Sequence, residues 1–345
     1  MLTNIYPLRL AASLHETIWG GQRLQRDGWK RLPSPDAAVG ESWETETSNV
    51  CLNGPYAGST LGELVNELDE ALLGAQVIGI FGHRFPLLAK FIDANAKLSV
   101  QVHPDDAYAA AREHGKLGKT ECWYILAAEP GATIVHGFQA KTARAAVQQA
   151  IEQVRLETLL HEEVVSPGDI IFVPAGTVHA IGGGITLYEL QEYSDITYRM
   201  YDYGRLTPTG APRELHIERS LDVAHYDVSP RVKVQAVPLV YNAHYAERGL
   251  VACPYFVVRE VTLLSNGYMK NKTAGSCVIL TSLGAEILVR YGDALEQSVS
   301  LSRGETLILP AALGSYCIEG DGKFVYSYVP APGDAAWTAW KQLNR

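Results

Sequence analysis

The hydrophobic pattern along the chain first predicts two helical segments. Apolar residues recur at helical spacing over about 60–80, and Thr60 and Glu63 are placed for a capping box at the start of this segment. A second stretch, at about 139–162, is rich in Ala, Gln, Glu and Leu, which favour helix. We therefore expect two helical insertions in a chain whose other segments follow a different pattern.

Most of the remaining chain alternates short β-branched and aromatic runs with Gly, Pro, Asn and Asp, which is typical of strands joined by turns. A short helix is predicted at about 215–230, and from residue 231 the pattern is almost wholly β until the last residues. The sequence therefore predicts a mainly β protein with two units. We place them at 1–230, which carries the helical insertions, and at 231–345.

One short sequence motif occurs in both β units. The segment 168–175 reads Gly, an acidic residue, an apolar run and Pro-Ala, and the segment 304–311 follows the same order. After Pro-Ala the first copy continues to His179, whereas the second copy has no His. An internal duplication in which only one copy kept a metal ligand predicts this difference. A chance similarity between two strands flanked by turns is the alternative.

Composition and charge then exclude several classes of function. The 345 residues include 29 Lys and Arg against 38 Asp and Glu, a net charge of -9, and no basic block occurs, so nucleic-acid binding is not expected. No stretch reaches the roughly 18 apolar residues of a membrane span, and no secretory signal pattern is present. The five cysteines are odd in number and form no CxxC pair. We expect a cytoplasmic protein without a membrane partner, and a monomer because no long apolar stripe or heptad occurs.

Potential metal ligands gather in the first β unit. Gln101 and His103 lie two apart in a predicted strand, so their side chains share a face. Glu121 and His179 each lie at the polar end of an apolar strand. Two imidazoles, a carboxylate and an amide oxygen suit a divalent ion such as Zn²⁺, with positions left for water or substrate. By spacing alone, structural roles for these four side chains are equally open.

Longer motifs connect these residues to a known family. The segment 168–179 matches the second cupin motif, Gly-x5-Pro-x-Gly-x2-His, and Gln101 to His103 followed by Glu121 resembles the first cupin motif with its leading His replaced by Gln. The phrases WGG, GESWE, KFIDANAKLSVQVHPDD, SDITYRMYDYGR and RELHIERSLDV extend the match over nearly the whole chain. The chain thus resembles the type I mannose-6-phosphate isomerases in their short bacterial form. This resemblance implies two cupin domains, each a jelly-roll β-barrel, the second without metal ligands.

The resemblance also implies a set of site residues. One Zn²⁺ per chain would be held by Gln101, His103, Glu121 and His179. The residues that the family uses to bind substrate fall on Ser99, Lys90, Lys119, Asp195 and Arg199, and those implied in catalysis are Arg199, Glu189 and Lys119. Three of these residues are cations, which an acidic protein needs in order to hold a sugar phosphate.

The implied reaction is the reversible isomerisation of mannose 6-phosphate to fructose 6-phosphate, through a metal-stabilised enediolate and proton transfer between C2 and C1. Glu189 is the preferred general base, ahead of Lys119 and a metal-bound hydroxide. Two other classes stay open. One is a non-catalytic or regulatory cupin that binds a sugar phosphate. The other is a metal-dependent cupin oxygenase, which Gln101 disfavours because an amide is a weak ligand for redox-active iron.

Overall fold

The computed structural model describes residues 5–34, 36–207, 210–228, 231–273 and 275–344. Within them the first part of the chain forms the strands β1 Leu8–Arg9, β2 Ser13–Gly21, β3 Val39–Trp43, β4 Leu87–Ala94, β5 Val100–Val102, β6 Glu121–Ala128, β7 Thr133–Phe138, β8 Leu160–Val164, β9 Ile170–Val173, β10 His179–Ile181, β11 Ile185–Glu192 and β12 Tyr198–Tyr201. The later strands are β13 Val237–Tyr241, β14 Tyr245–Ala252, β15 Val257–Leu263, β16 Gly267–Lys272, β17 Val278–Ser282, β18 Ile287–Tyr291, β19 Gln297–Leu301, β20 Thr306–Leu309, β21 Ser315–Gly320 and β22 Lys323–Tyr328.

The helices are short and lie mainly in the first part of the chain. They are α1 Arg23–Arg26, α2 Leu61–Leu68, α3 Glu70–Leu73, α4 Ala75–Phe81, α5 Asp106–Arg112, α6 Arg144–Glu152, α7 Ile217–Val223 and α8 Ala335–Leu343. None of these helices, which are all that the described residues form, is long and apolar enough to cross a membrane. Together with the strands they confirm the predicted class, mainly β.

Four antiparallel sheets form two similar pairs. In the first unit a six-stranded sheet, β2-β3-β4-β11-β6-β9, accompanies a five-stranded sheet, β12-β5-β10-β7-β8. In the second unit a seven-stranded sheet, β1-β20-β17-β22-β15-β14-β13, accompanies a four-stranded sheet, β16-β21-β18-β19. Its edge strand β1 comes from the start of the chain and pairs with β20. The order β4-β11-β6-β9 thus recurs as β15-β22-β17-β20, and β5-β10-β7-β8 recurs as β16-β21-β18-β19. This repeated order is what an internal duplication predicts.

Side chains on alternate faces of the strands pack against both sides of each sheet. On β4, Ile92 packs in a cluster between the two sheets of the first unit, whereas Phe91 packs in a cluster shared with the second unit. Neighbouring side chains on a strand point to opposite faces, which is why one strand serves two cores. Helices α6 and α7 cover the outer face of the five-stranded sheet through residues such as Val147 and Leu221. The first unit is therefore packed on both faces of both sheets.

The first helical insertion has the predicted start but is broken into three helices. The capping box is confirmed, since Thr60 Oγ1 accepts from the Glu63 backbone N–H and the Glu63 carboxylate accepts from the Thr60 N–H. A cap of this kind contributes about 1 kcal/mol. Asp69 at φ 43° and Gly74 at φ 87° interrupt the helical path, so α2, α3 and α4 follow one another as separate pieces.

The second helical insertion is shorter than the sequence predicts, and the prediction for 139–162 was wrong over its second half. Helix α6 ends at Glu152, and Val154 takes a positive φ of 53°. The chain then passes through a 3-10 turn into β8, where Val164 pairs with Thr133 of β7. Sheet pairing therefore overrides the helical propensity of this segment. The predicted boundary near 230 falls on residues 229–230, which lie outside the described residues.

Candidate active site

A cleft of about 180 Å³ lies between the two sheets of the first unit. It is lined by Gln101 and by every residue that the sequence placed in substrate binding or catalysis: Ser99, Lys90, Lys119, Asp195, Arg199 and Glu189. These residues come from β4, β5, β11, β12 and the connections between them. The fold therefore brings together side chains that are spread over more than one hundred positions of the sequence.

Strand pairing places Glu189 and Lys90 at the centre of the cleft. Glu189 on β11 lies directly opposite Lys90 on β4 and directly opposite Trp123 on β6. Side chains that lie opposite each other on antiparallel strands project from the same face. Lys90 Nζ is accordingly 3.5 Å from Glu189 Oε1 and 3.1 Å from Glu41 Oε2. Both Lys90 and Glu189 are buried, at 6% and 3% exposure.

Glu189 has the environment of a general base. Its Oε2 accepts a hydrogen bond of 2.9 Å from Trp123 Nε1, while its buried Oε1 has no hydrogen-bond partner. Burial raises the pKa of Glu189 above its usual range, and the charge of Glu121 raises it further, against the opposing charges of Lys119 and Lys90. A carboxylate with a raised pKa holds an abstracted proton more tightly than an ordinary one, and the free oxygen is able to receive that proton.

The predicted metal ligands converge beneath this cleft. His179 Nε2 lies 3.4 Å from Glu121 Oε1, and His103 Nε2 lies 3.6 Å from Glu121 Oε2. One potential ligand atom from each of these three residues falls within 4.8 Å of the others, and all three side chains are buried. Gln101 joins them, since its Nε2 is 3.2 Å from His179 Nε2.

Backbone carbonyls fix the two imidazoles with one nitrogen free. His103 Nδ1 donates to the Ile196 carbonyl and His179 Nδ1 donates to the Thr177 carbonyl, each at 2.8 Å. The proton therefore lies on Nδ1, and Nε2 keeps its lone pair. Burial lowers the pKa of His103 well below its usual value and lowers the pKa of His179 to about 3. Both rings are neutral at physiological pH, which is the form that binds metal.

These residues fit a divalent cation. His103 Nε2 is a buried acceptor without a hydrogen-bond partner, which is costly unless another group satisfies it. The lone pairs of both imidazoles and the oxygens of Glu121 face one small volume. A rotation of the Gln101 amide by 180° puts Oε1 where Nε2 now meets His179, which adds an oxygen donor to the set. Two nitrogens and two oxygens are a donor set suited to Zn²⁺.

The turn before β10 requires glycine at residue 176. Gly176 has a φ of 84°, and a Cβ there would lie 2.6 Å from atoms of the His225 ring. Its N–H donates to the carbonyl of His103. The second cupin motif thus places its glycine where the chain passes tightly between two other segments, shortly before the predicted ligand His179.

Cations line the remaining wall of the cleft. Lys119 is buried and its Nζ is 2.9 Å from Glu121 Oε2. Arg199 on β12 lies opposite Gln101 on β5, and its Nε donates to Ser99 Oγ at 3.3 Å. Arg199 is only partly buried. The buried Lys119 is thus next to the predicted ligand cluster, whereas Arg199 is partly exposed and reaches the buried Ser99.

Asp195 lies at the rim rather than in the depth of the cleft. Its side chain is 64% exposed and accepts from Lys116 Nζ at 2.8 Å. This carboxylate is therefore partly neutralised by a lysine that lies outside the cleft lining.

Glu41, Trp43 and Arg213 line the cleft, although the sequence analysis did not assign them to the site. Glu41 Oε2 accepts from Trp43 Nε1 at 2.5 Å as well as from Lys90, and Lys90 Nζ lies 4.3 Å from the centre of the Trp43 ring. Arg213 lines the cleft and donates to Asp202 at 2.8 and 2.6 Å. Glu41 and Trp43 belong to the phrase GESWE and Arg213 to RELHIERSLDV. Those phrases were a signal, but strand pairing was needed to show which side chains face the cleft.

Comparisons with known proteins agree with this geometry. Residues 7–129 match the model of the family described as phosphomannose isomerase type I, catalytic domain. A mannose-6-phosphate isomerase of Streptococcus mutans is 38% identical over 93% of this chain and 98% of its own length. A mannose-6-phosphate isomerase of Bacillus subtilis is 35% identical over 94% and 99%. A crystal structure of mannose 6-phosphate isomerase from Bacillus subtilis has a TM-score of 0.81 at 34% identity, covering 93% of this chain and 99% of that one.

Proposed function

The chain belongs to the type I phosphomannose isomerases, which interconvert mannose 6-phosphate and fructose 6-phosphate, and we propose that this reaction takes place in the cleft of the first unit. One observation carries the proposal. A buried carboxylate, Glu189, whose Oε1 makes no hydrogen bond, lies in the same cleft as four cations, and Trp123 Nε1 donates both to Glu189 and to Glu121 of the cluster with His103 and His179. A sugar that loses and regains a proton beside an electrophile needs this combination.

Gln101, His103, Glu121 and His179 would hold one Zn²⁺ in this proposal. The family is metal-dependent, and the choice of zinc rests on the two imidazoles and two oxygen donors that the fold brings together. When bound, the ion supplies a Lewis acid that withdraws electrons from the sugar oxygens at C1 and C2. The protein holds the ligands in the required protonation state through the two carbonyls that accept from His103 and His179.

Glu189 acts as the base that moves the proton. Its Oε1 takes the proton from C2 of the open-chain sugar, which leaves a C1–C2 double bond, and returns the same proton to C1. Lys119 donates a hydrogen bond to the negative oxygen formed meanwhile and relays the proton that moves from O2 to O1. The aldehyde at C1 thereby becomes an alcohol, and the carbonyl lies at C2. Trp123 holds the other oxygen of Glu189 during both transfers.

Arg199 and Ser99 bind the phosphate group. They are hydrogen-bonded to each other and Arg199 is partly exposed, so a dianion can reach the guanidinium without being fully desolvated. Lys90 keeps Glu189 in place and donates to a sugar hydroxyl, while Asp195 accepts from a hydroxyl at the rim. Arg199, which the sequence also implied in catalysis, acts in this proposal by fixing the substrate.

The remaining features follow from a sugar phosphate as substrate. The charge of a sugar phosphate keeps it from crossing membranes unaided, which supports a cytoplasmic enzyme. We also infer a monomer without nucleic-acid or membrane partners. The regulatory-cupin and oxygenase alternatives have no comparable support, because the relatives that align over nearly the whole chain are named as isomerases.

A coupled assay tests the proposal. Formation of fructose 6-phosphate from mannose 6-phosphate is measured on the purified protein, on protein stripped with a chelator, and after adding Zn²⁺, Mn²⁺ or Co²⁺ to the stripped sample. We expect activity to disappear on stripping and to return with metal, most fully with Zn²⁺. A folded, metal-loaded protein without isomerase activity would refute the substrate, and full activity after complete metal removal would refute the metal site.

A further inference from the structure

The second unit contains a cavity of about 280 Å³ at the position that corresponds to the active-site cleft. The repeated phrase fixes this correspondence. In the first unit Ile171 on β9 pairs with Trp123 on β6. At the same place of the second copy, Leu307 on β20 pairs with Leu280 on β17. The strands β6 and β17, which pair with β9 and β20, can therefore be aligned residue by residue.

The next strand carries the alignment to the cavity. Trp123 lies opposite Glu189 on β11, and Leu280 lies opposite Tyr326 on β22. Tyr326 therefore occupies the position that Glu189 has in the first unit. Tyr326 lines the second cavity as Glu189 lines the cleft.

Both units also carry a cation on the strand beside β11 or β22. Lys90 on β4 lies opposite Glu189, and Arg259 on β15 lies opposite Tyr326. Arg259 lines the second cavity. The second cavity is thus the counterpart of the active site, and we call this cavity, lined by Arg259, Asn271, Tyr316, Tyr326, Tyr328 and Asp334, the second cup.

The second cup has lost the residues that would bind a metal. Val278 takes the position of Glu121, since it pairs with Leu309 as Glu121 pairs with Val173. On β21, which corresponds to β10, Tyr316 lies opposite Asn271 of β16, and neither of these two strands contains a His. A ligand of the second cup must therefore be held without a metal, by aromatic rings, amides and the charged groups already present.

The guanidinium of Arg259 in the second cup is already paired with carboxylates. Arg259 Nη1 is 3.0 Å from Glu247 Oε1, and Arg259 Nη2 is 3.9 Å from Asp334 Oδ2. Tyr326 donates to Glu247 at 2.6 Å, and Tyr328 donates to Asp334 at 2.9 Å. A phosphate inside the cup would have to compete with two carboxylates for Arg259, since the other cation of the lining, Lys272, is exposed to solvent, and this disfavours an anionic ligand.

Groups that suit an uncharged polyhydroxyl ring remain available. Arg259 Nε is buried and has no hydrogen-bond partner. The rings of Tyr326 and Tyr328 are stacked with 6.2 Å between their centres and with Arg259 over both, and the buried Tyr316 adds a third aromatic ring to the lining. Aromatic faces pack against the C–H faces of a sugar, while the Asn271 amide and the Asp334 carboxylate can bond its hydroxyls.

We propose that the second cup binds an uncharged hexose, either free or at the end of a glycoside. The cavity is close to the lower limit of about 300 Å³ for ligand pockets, which suits a single ring. The site is distinct from the active-site cleft and adds a binding function to the unit that lacks metal ligands. The ligand differs from the isomerase substrate by having no phosphate.

The NMR signals of the tyrosine rings test this proposal on the whole protein. Three tyrosines line the second cup, and among the described residues that line the active-site cleft there is none. Ring-labelled tyrosine is followed by NMR while mannose or methyl α-mannoside is added, with and without saturating mannose 6-phosphate. We expect both sugars to shift the Tyr316, Tyr326 and Tyr328 signals with a Kd of about 1 mM, unchanged by mannose 6-phosphate.

Two variants sharpen the test. Asn271→Ala should weaken hexose binding about tenfold and leave isomerase activity unchanged, while Lys270→Ala, at the exposed neighbouring position of β16, should leave both unchanged. If Asn271→Ala does not fold, Tyr316→Phe removes a single hydroxyl instead. Shifts with mannose alone would restrict the ligand to the free sugar. The proposal is overturned if neither sugar shifts these signals, or if mannose 6-phosphate abolishes the shifts.

Discussion

Lys90 and Glu189 face each other across the central strand pair of the first unit, with 3.5 Å between Lys90 Nζ and Glu189 Oε1. Lys90 also pairs with Glu41 and lies over the Trp43 ring, so its position is fixed from three sides. Its charge opposes the rise in pKa that burial and Glu121 impose on Glu189. Lys90 therefore favours the ionised form of a carboxylate that burial makes more basic.

Replacing Glu189 tests this arrangement directly. Glu189→Gln keeps the shape and the acceptor for Trp123 but removes the base, so kcat should fall about 10²- to 10⁴-fold with little change in KM. In the wild type, kcat/KM should decrease as the pH falls through the pKa of Glu189, which lies above 4.5, because only the ionised form accepts a proton. The variant should lose this acidic limb.

Glu152→Gln is a suitable control, because Glu152 is exposed at the end of α6 and far from the cleft lining in the sequence and in the fold. A kcat that stays within a factor of two of the wild type in Glu189→Gln would remove this residue from the proton transfer and turn attention to Lys119.

Loss of one imidazole should remove the metal. His103→Ala takes away one of two nitrogen ligands, and we expect a metal content well below one ion per chain, together with loss of activity. Metal content is measured by elemental analysis after dialysis, and Tm is measured with and without added Zn²⁺. The wild type should gain thermal stability from the ion, whereas His103→Ala should not.

The matched control is His161→Ala, which removes a partly exposed imidazole on β8. It should bind one ion and retain activity. Equal metal content in His103→Ala and His161→Ala would place the metal elsewhere in the protein.

Substitution of Arg199 should act mainly on substrate binding. Arg199→Met removes the guanidinium that meets Ser99 but keeps much of the side-chain volume, so KM should rise roughly 10- to 100-fold, the value of one charged hydrogen bond. Steady-state kinetics with mannose 6-phosphate measure the effect. Arg144→Met removes an arginine from surface ion pairs and should leave KM unchanged. A fall in kcat at constant KM in Arg199→Met would instead assign Arg199 to the chemical step.

The grouping of the potential metal ligands could be predicted from the sequence because the signal is local. Gln101 and His103 share one short strand, and the glycine and proline before His179 define a turn that only a narrow range of sequences can form. The start of α2 could be predicted for the same reason, because Thr60 and Glu63 of its capping box are three residues apart. Patterns of this kind are found again in the structure because residues close in the sequence determine them.

The environment of the base could not be predicted in this way. Glu41 and Trp43 reach Lys90 because β3 pairs with β4, a contact between segments that are more than forty residues apart. No spacing rule indicates which residue of β3 lies opposite Lys90. The helix predicted up to 162 failed for the related reason that β7 supplies strand hydrogen bonds to residues 160–164. Long-range pairing thus decided both the details of the cleft and the largest error in the fold.

The last prediction concerns Glu192, at the end of β11, and the pH dependence of stability. Its Oε1 accepts from the Thr120 N–H at 2.8 Å, while Oε2 is buried without a partner. Burial raises the pKa of Glu192 to about 8, with a further contribution from Asp106, against the opposing hydrogen bond from Thr120. The folded protein therefore keeps this carboxyl protonated at pH 7, whereas the unfolded chain releases the proton near its ordinary pKa of 4.5.

Since the folded state binds this proton more tightly, the stabilisation is complete below pH 4.5 and is lost as the pH rises through about 8. The loss is at most roughly 1.4 kcal/mol per pH unit within that window. Glu192→Gln has no proton to lose, so its free energy of unfolding relative to the wild type should increase between pH 5 and pH 8 in urea titrations. Glu162→Gln, at an exposed position, should show a constant difference from the wild type. A constant difference for Glu192→Gln as well would mean that the carboxyl is already ionised in the folded protein, stabilised by a group that reaches Oε2.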